Sequence, residues 1–232
     1  MIPFLCGEIS YVGATPRGRP VSLSPMKLKT MTKEAMKKFI ENLMALRAEG
    51  FKAALPGAFN EIQGYGIGNL LREYPDFLAR LLKKLRESDA AGLFNQLPDT
   101  PDQLMDLLWE GVASRAEQIE EIKALLEKAE RPMHVNIEAS DSPFRGHFIV
   151  REGKITGRSG LLHFKDEDFR FMGPTETLMD LLTGDLPMGF SNLRLQTAGH
   201  SGWVSRIAPV VREIAKLLKG TQEPADKIGS GI

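Results

Sequence analysis

At Met133 the spacing of apolar residues switches from a helical period to strict alternation, and that switch limits the fold more than any other feature of the chain. Val135, Ile137 and Ala139 then share one face of a strand. Phe148 and Val150, with Ile155 after a Glu152-Gly153 turn, read as a hairpin. Leu162 with Phe164 and Phe169 with Phe171 read as two more short strands, and Leu193, Leu195 and Thr197 as the last one.

Upstream of Met133 the pattern is helical. Thr32 is placed to cap a helix with Met36, Phe39, Ile40, Leu43 and Met44 on one stripe, and Gly50 to end it. Pro56, Gly57, Gly64, Gly66 and Gly68 interrupt the stretch from Phe51 to Tyr74, which reads as broken helix and loop. A helix resumes at Pro75, with Phe77, Leu78, Leu81, Leu82 and Leu85 on its core side. Thr100 to Gln103 and Ser114 to Glu117 have the spacing of capping boxes, so two consecutive helices are expected from them. After the strands comes a short helix with Leu178, Met179, Leu181 and Leu182, stopped by Gly184 and Pro187. A longer helix from Trp203 to Leu218 ends at Gly220. This order of elements predicts an α+β fold, a five-stranded sheet covered by helices that leave an apolar layer against it. The expected division is an extended arm over 1–30, a helical region over 31–100, a sheet-bearing domain over 101–220 and a flexible tail over 221–232.

Composition narrows the partners. Thirty Lys and Arg balance thirty Asp and Glu, so the summed field gives no long-range pull on nucleic acid, which is disfavoured as a partner. The single cysteine, Cys6, excludes an internal disulfide framework and a Cys-only zinc site, and suits a reducing compartment. The first residues lack the basic segment and the full apolar run of a signal peptide, so a cytoplasmic protein is expected. Nowhere do about 18 apolar residues run without a charge, and no transmembrane segment is expected.

Motifs that carry chemistry are sparse. Gly64-Tyr65-Gly66-Ile67-Gly68 has neither the G-x-G-x-x-G spacing nor the Lys-Ser/Thr of a phosphate loop, and a flexible or close-packed turn is the better account. His134, His147, His163 and His200 include no close pair of the H-x-x-x-H kind, which argues against a metal. Asp166, Glu167 and Asp168 lack the loop spacing of a calcium site and read as a solvated turn. His200-Ser201 has no orienting acid, so Ser201 is expected to cap a helix rather than to act as a nucleophile.

From Asp168 to Lys219 the order and spacing of the chain resemble the sterol carrier protein 2 family of lipid-binding domains. A strand at Phe169-Arg170-Phe171-Met172 leads into a helix ending Leu181-Leu182-Thr183-Gly184-Asp185-Leu186-Pro187, the most specific piece. A strand at Leu193 to Thr197 and a helix through Ile207-Ala208-Pro209-Val210-Val211 follow. The chain departs from the family at Gly199-His200, where Gly-Asp is usual, and in its helical first half.

The resemblance implies a tunnel between sheet and helices that accepts fatty acyl chains, sterols or other lipids, with no cofactor and no chemistry of its own. The residues expected to line it are Phe148, Phe171, Met179, Leu182, Phe190, Trp203, Val204, Ile207 and Val211, each on an inward face or at a helix end beside the sheet. The same residues are also suited to fill a solid core. The expected function is therefore non-catalytic carriage or presentation of a hydrophobic molecule to enzymes. The alternative is an accessory subunit that docks onto a larger enzyme complex through the 1–30 arm and the helical region.

Overall fold

The computed structural model describes residues 31–128, 131–185 and 194–220. The expected arm at 1–30, Phe190 and the tail at 221–232 lie outside the described residues.

The helical part of the chain comprises α1 (Lys33–Ala45), α2 (Ala48–Tyr65), α3 (Ile67–Glu73), α4 (Phe77–Glu87), α5 (Ala90–Gln96), α6 (Asp99–Ala116) and α7 (Glu120–Glu127). The sheet is built from β1 (Met133–Ala139), β2 (Arg145–Arg151), β3 (Lys154–Ser159), β4 (Phe169–Gly173) and β5 (Gln196–Gly199), with α8 (Thr175–Thr183) after β4 and α9 (Ser201–Lys219) after β5. The fold is α+β, as expected. Strand order is β3-β2-β1-β4-β5, with β1 and β4 parallel and the other neighbours antiparallel.

Alternation sets the inner face of the sheet. Val135 lies opposite Phe148 on β2 and Phe169 on β4, and Ile137 lies opposite Phe171. All five are at most 3% exposed. Helices α6 and α8 cover this face, and α9 packs on α8, α6 and α4. Gly157 on β3 permits the close approach of α6, because a methyl there would lie 2.5 Å from the Trp109 ring and 2.6 Å from the His147 carbonyl. Phe94 of α5 stacks on Phe144 at 5.5 Å, which joins the helical part to the sheet in one continuous core.

Several local expectations are corrected. Gly50 does not end α1; it lies in the first turn of α2, which runs through Pro56 and Gly57. Phe51, Leu55, Phe59 and Ile62 recur at helical spacing and are all at most 1% exposed, a burial that outweighs the one hydrogen bond Pro56 removes. The break falls instead at Gly66, whose φ of 87° is readily adopted only by glycine and separates α2 from α3. Neither capping box forms. Pro98 already has helical φ and ψ, so α6 begins ahead of Thr100, and Ser114 is inside that helix because the buried Val112 and Ala116 carry it onward.

The strand expected at Leu162–Phe164 is a loop. Its backbone pairs with a side chain instead of a neighbouring strand: Leu162 N–H donates to Asn136 Oδ1 at 2.9 Å and the Asn136 amide donates to the Leu162 carbonyl at 3.2 Å. This loop lies across the outer face of the sheet, which carries His134, Asn136, Glu138, His147 and Arg170. Among the described residues no helix is long and apolar enough to cross a membrane.

Candidate functional site

Helix α9 divides along its length. From Ile207 onward one face is buried, with Val210, Val211, Ile214, Leu217 and Leu218 at most 5% exposed. Before Ile207, Trp203 and Val204 are half-buried, and Ser205 and Arg206 are exposed. Where this first half passes the end of α7 and the start of β1, a cleft of about 310 Å³ opens. That volume is at the lower end of the range for small-molecule sites.

The floor of the cleft is apolar: Leu125 from α7, Met133 from β1, and Pro209 and Val210 from α9. Met133 and Val210 also belong to the core, so the cleft opens directly onto it. Lys128, Arg131 and Arg206 line it as well. Among the described residues no ion pair engages any of these three cations. The Arg206 guanidinium lies 5.5 Å from the centre of the Trp203 ring, a cation–π contact that holds it in place. Pro209 has no N–H to offer the carbonyl four residues earlier, so the Ser205 carbonyl is free of its usual helical donor.

A second, smaller recess of about 160 Å³ lies between α4, α8 and the end of α9. Charge pairs bind its walls together. Arg86 of α4 is hydrogen-bonded to Asp180 of α8, which raises the guanidinium pKa. Thr183 donates to Asp185 at 2.8 Å, and Lys219 donates to the same carboxylate at 3.1 Å. These bonds, the Thr183 one first, hold the Asp185 carboxyl below its ordinary value. This recess joins three helices and serves as a clasp.

The expected tunnel residues divide into three groups. Phe148, Phe171, Met179, Leu182, Ile207 and Val211 are buried, at most 5% exposed, in the core between the sheet and the last two helices. Phe148 packs on Trp109 with ring centres 4.9 Å apart, and Phe171 meets Phe169 edge-on at 5.0 Å. Met179 also lines the smaller recess. Trp203 and Val204 pack against the core from its margin. Phe190 lies outside the described residues. None of the eight described residues lines the 310 Å³ cleft, whose α9 wall is formed by Ser205, Arg206, Pro209 and Val210.

The cations of the cleft carry no signal in the sequence. Lys128 and Arg131 flank the end of α7 and Arg206 is on the polar side of α9, positions where solvated charges are ordinary. Only the meeting of the two helices brings them together.

The polar residues of the sheet half have structural partners. Asp168 accepts from the His134 backbone N–H at 2.9 Å and lies 3.1 Å from its Nδ1. His147 Nδ1 is 2.9 Å from the Gly160 carbonyl. Glu167 takes a bidentate contact from Arg170, whose remaining arm reaches Glu138 at 2.7 Å. The cap of α9 is His200, which accepts from the Gly202 N–H at 3.2 Å, and Ser201 is the first residue of the helix instead. The exchange follows from the His200 backbone, which is extended and leaves its side chain beside the first free N–H groups. Among the described residues no three His, Cys, Asp or Glu side chains converge as a metal site.

No protein-family model matches the chain, and no curated protein matches it. Among solved structures it is similar to the apo form of sterol carrier protein 2 from Yarrowia lipolytica, with 13% identity and a TM-score of 0.36, over 50% of this chain and 91% of that one. It is also similar to a stereoselective inverting sec-alkylsulfatase from a Pseudomonas species, with 17% identity and a TM-score of 0.37. That match covers 82% of this chain and 32% of the sulfatase, so the chain spans about a third of the sulfatase's length. At such TM-scores neither similarity bears on function.

Proposed function

We propose that this protein binds a hydrophobic or amphipathic small molecule without transforming it, with the apolar part of the ligand in the cleft beside α9. The observation that carries this reading is the cleft itself, whose apolar floor is continuous with the core through Met133 and Val210. A chain seated there gains up to about 0.8 kcal/mol for each methylene it buries, so useful affinity needs no specialised polar group. The resemblance of the segment ending Leu181-Leu182-Thr183-Gly184-Asp185-Leu186 to lipid-binding domains agrees with it.

The lining expected from the sequence belongs to the same proposal. Trp203 and Val204, half-buried, precede the cleft-lining Ser205 and Arg206 on α9, and a ligand reaching Phe148, Phe171, Met179, Leu182, Ile207 and Val211 requires α9 to move off the sheet.

Titrating the protein with straight-chain alcohols of increasing length tests the reading. Affinity is expected to rise with length, by up to about fourfold per added methylene. A flat series across lengths rejects the proposal. Trp203→Ala and Ile207→Ala locate the ligand on α9. Ile207→Ala is expected to cost about 2–4 kcal/mol of stability, as for a buried aliphatic, whereas Trp203→Ala costs less and changes alcohol affinity more. Unchanged affinity in both variants removes Trp203 and Ile207 from the site.

A further inference from the structure

Three cations around an apolar floor, with no carboxylate among the described residues lining the cleft, are an unbalanced arrangement for a neutral ligand. Some cations elsewhere among the described residues are met by carboxylates: Lys123 by Glu120, Lys216 by Glu213, Lys219 by Asp185 and Arg170 by Glu167 and Glu138. Lys128, Arg131 and Arg206 share one cavity that no carboxylate of the described residues lines. Like charges that line one cavity repel, and an apolar floor lowers the local dielectric and makes that repulsion more costly. An anion in the cleft relieves it.

The number of cations selects the kind of anion. A carboxylate brings one charge and leaves two cations facing each other. A phosphate monoester brings about −1.5 to −2 at neutral pH and three strong acceptor oxygens. Two of the three cations are arginines, whose planar forks suit bidentate contact with phosphate, and Arg206 is already oriented by the Trp203 ring. The floor of Leu125, Met133, Pro209 and Val210 offers apolar surface beside the head for an alkyl chain.

We infer that the cleft takes a single-chain amphiphile with a phosphate monoester head, its phosphate among Lys128, Arg131 and Arg206 and its chain on the apolar floor. This rests on the binding reading above and adds the chemistry of the head. The contact is electrostatic at the head and hydrophobic along the chain, so salt weakens only the first.

Calorimetric titration of the full chain with decyl phosphate, decanoate and decanol, each kept monomeric, separates the two claims. Decyl phosphate is expected to bind about tenfold more tightly than decanoate at low salt, and decanoate more tightly than decanol, with the gaps closing in 0.5 M salt as screening shortens to about 4 Å. The double variant Lys128→Gln with Arg206→Gln, both on the surface, is expected to lose about tenfold or more for decyl phosphate and to stay within about twofold for decanol. Decanol binding as tightly as decyl phosphate overturns the inference and leaves the binding reading standing. Failure of all three ligands overturns both. Inorganic phosphate binding as tightly as decyl phosphate overturns the inference by removing the floor's part in it. Retention by vesicles containing phosphatidic acid, with no binding of the monomeric amphiphiles, overturns it in favour of a membrane surface.

Discussion

The two faces of the sheet are built from the same strands by different physics. On the inner face Val135, Ile137, Phe148, Val150, Phe169 and Phe171 meet α6 and α8 and are at most 3% exposed. On the outer face the alternate residues carry charge and hydrogen bonds. Asn136 is fully buried there because the 160–168 loop crosses it, and its amide gives and receives one bond each with the Leu162 backbone. Glu167 accepts from the same amide and holds Arg170 by two bonds. The inner face needs only apolar area, which is non-directional, whereas the outer face needs each donor to find its acceptor. Errors on the first cost volume, and errors on the second leave unpaired groups.

That contrast can be broken by substitution. Phe148→Ala removes a ring packed on Trp109 and is expected to cost about 3–5 kcal/mol in urea unfolding, the largest effect on either face. A loss below about 2 kcal/mol means that the space under the helices is not closely filled. Asn136→Ala leaves the Leu162 N–H and carbonyl without partners and is expected to cost about 1–3 kcal/mol. Its signature is local: amide exchange across 160–168 accelerates more than exchange in β2 or β3, and uniform acceleration contradicts the strap. Glu138→Gln is expected to cost less than about 1 kcal/mol, since the pair is partly exposed and Glu167 still holds the guanidinium. A larger loss means that Glu138 anchors the network and that Glu167 follows.

Legibility in the sequence divides along the same line. The alternation from Met133 and the helical stripes of α4, α8 and α9 assign most inner-face residues to the buried side by spacing alone. Gly184 and Gly220 end α8 and α9 where the pattern expects. Leu162 and Phe164 alternate as a strand does, yet Phe164 is 65% exposed and the segment is a loop, because the Asn136 side chain answers its backbone in place of a neighbouring strand. Pro56 and Gly57 read as breakers although α2 continues through them, since local propensity of about 1–3 kcal/mol yields to the burial of Phe51, Leu55, Phe59 and Ile62. The cleft is the least legible feature. Leu125 and Val210 read as core and Arg206 as solvated, and nothing in their spacing joins them.

What the sequence by itself determined is which side of each element is apolar, because the periods of helix and strand assign side chains to faces without reference to the rest of the chain. The tertiary structure alone decided which polar atoms pair and where space is left. A hydrogen bond such as Asn136 to Leu162 joins residues distant in the chain, and a cleft is the volume that α7, β1 and α9 fail to fill when they meet. Neither is a property of any one segment, so neither is written in a local pattern.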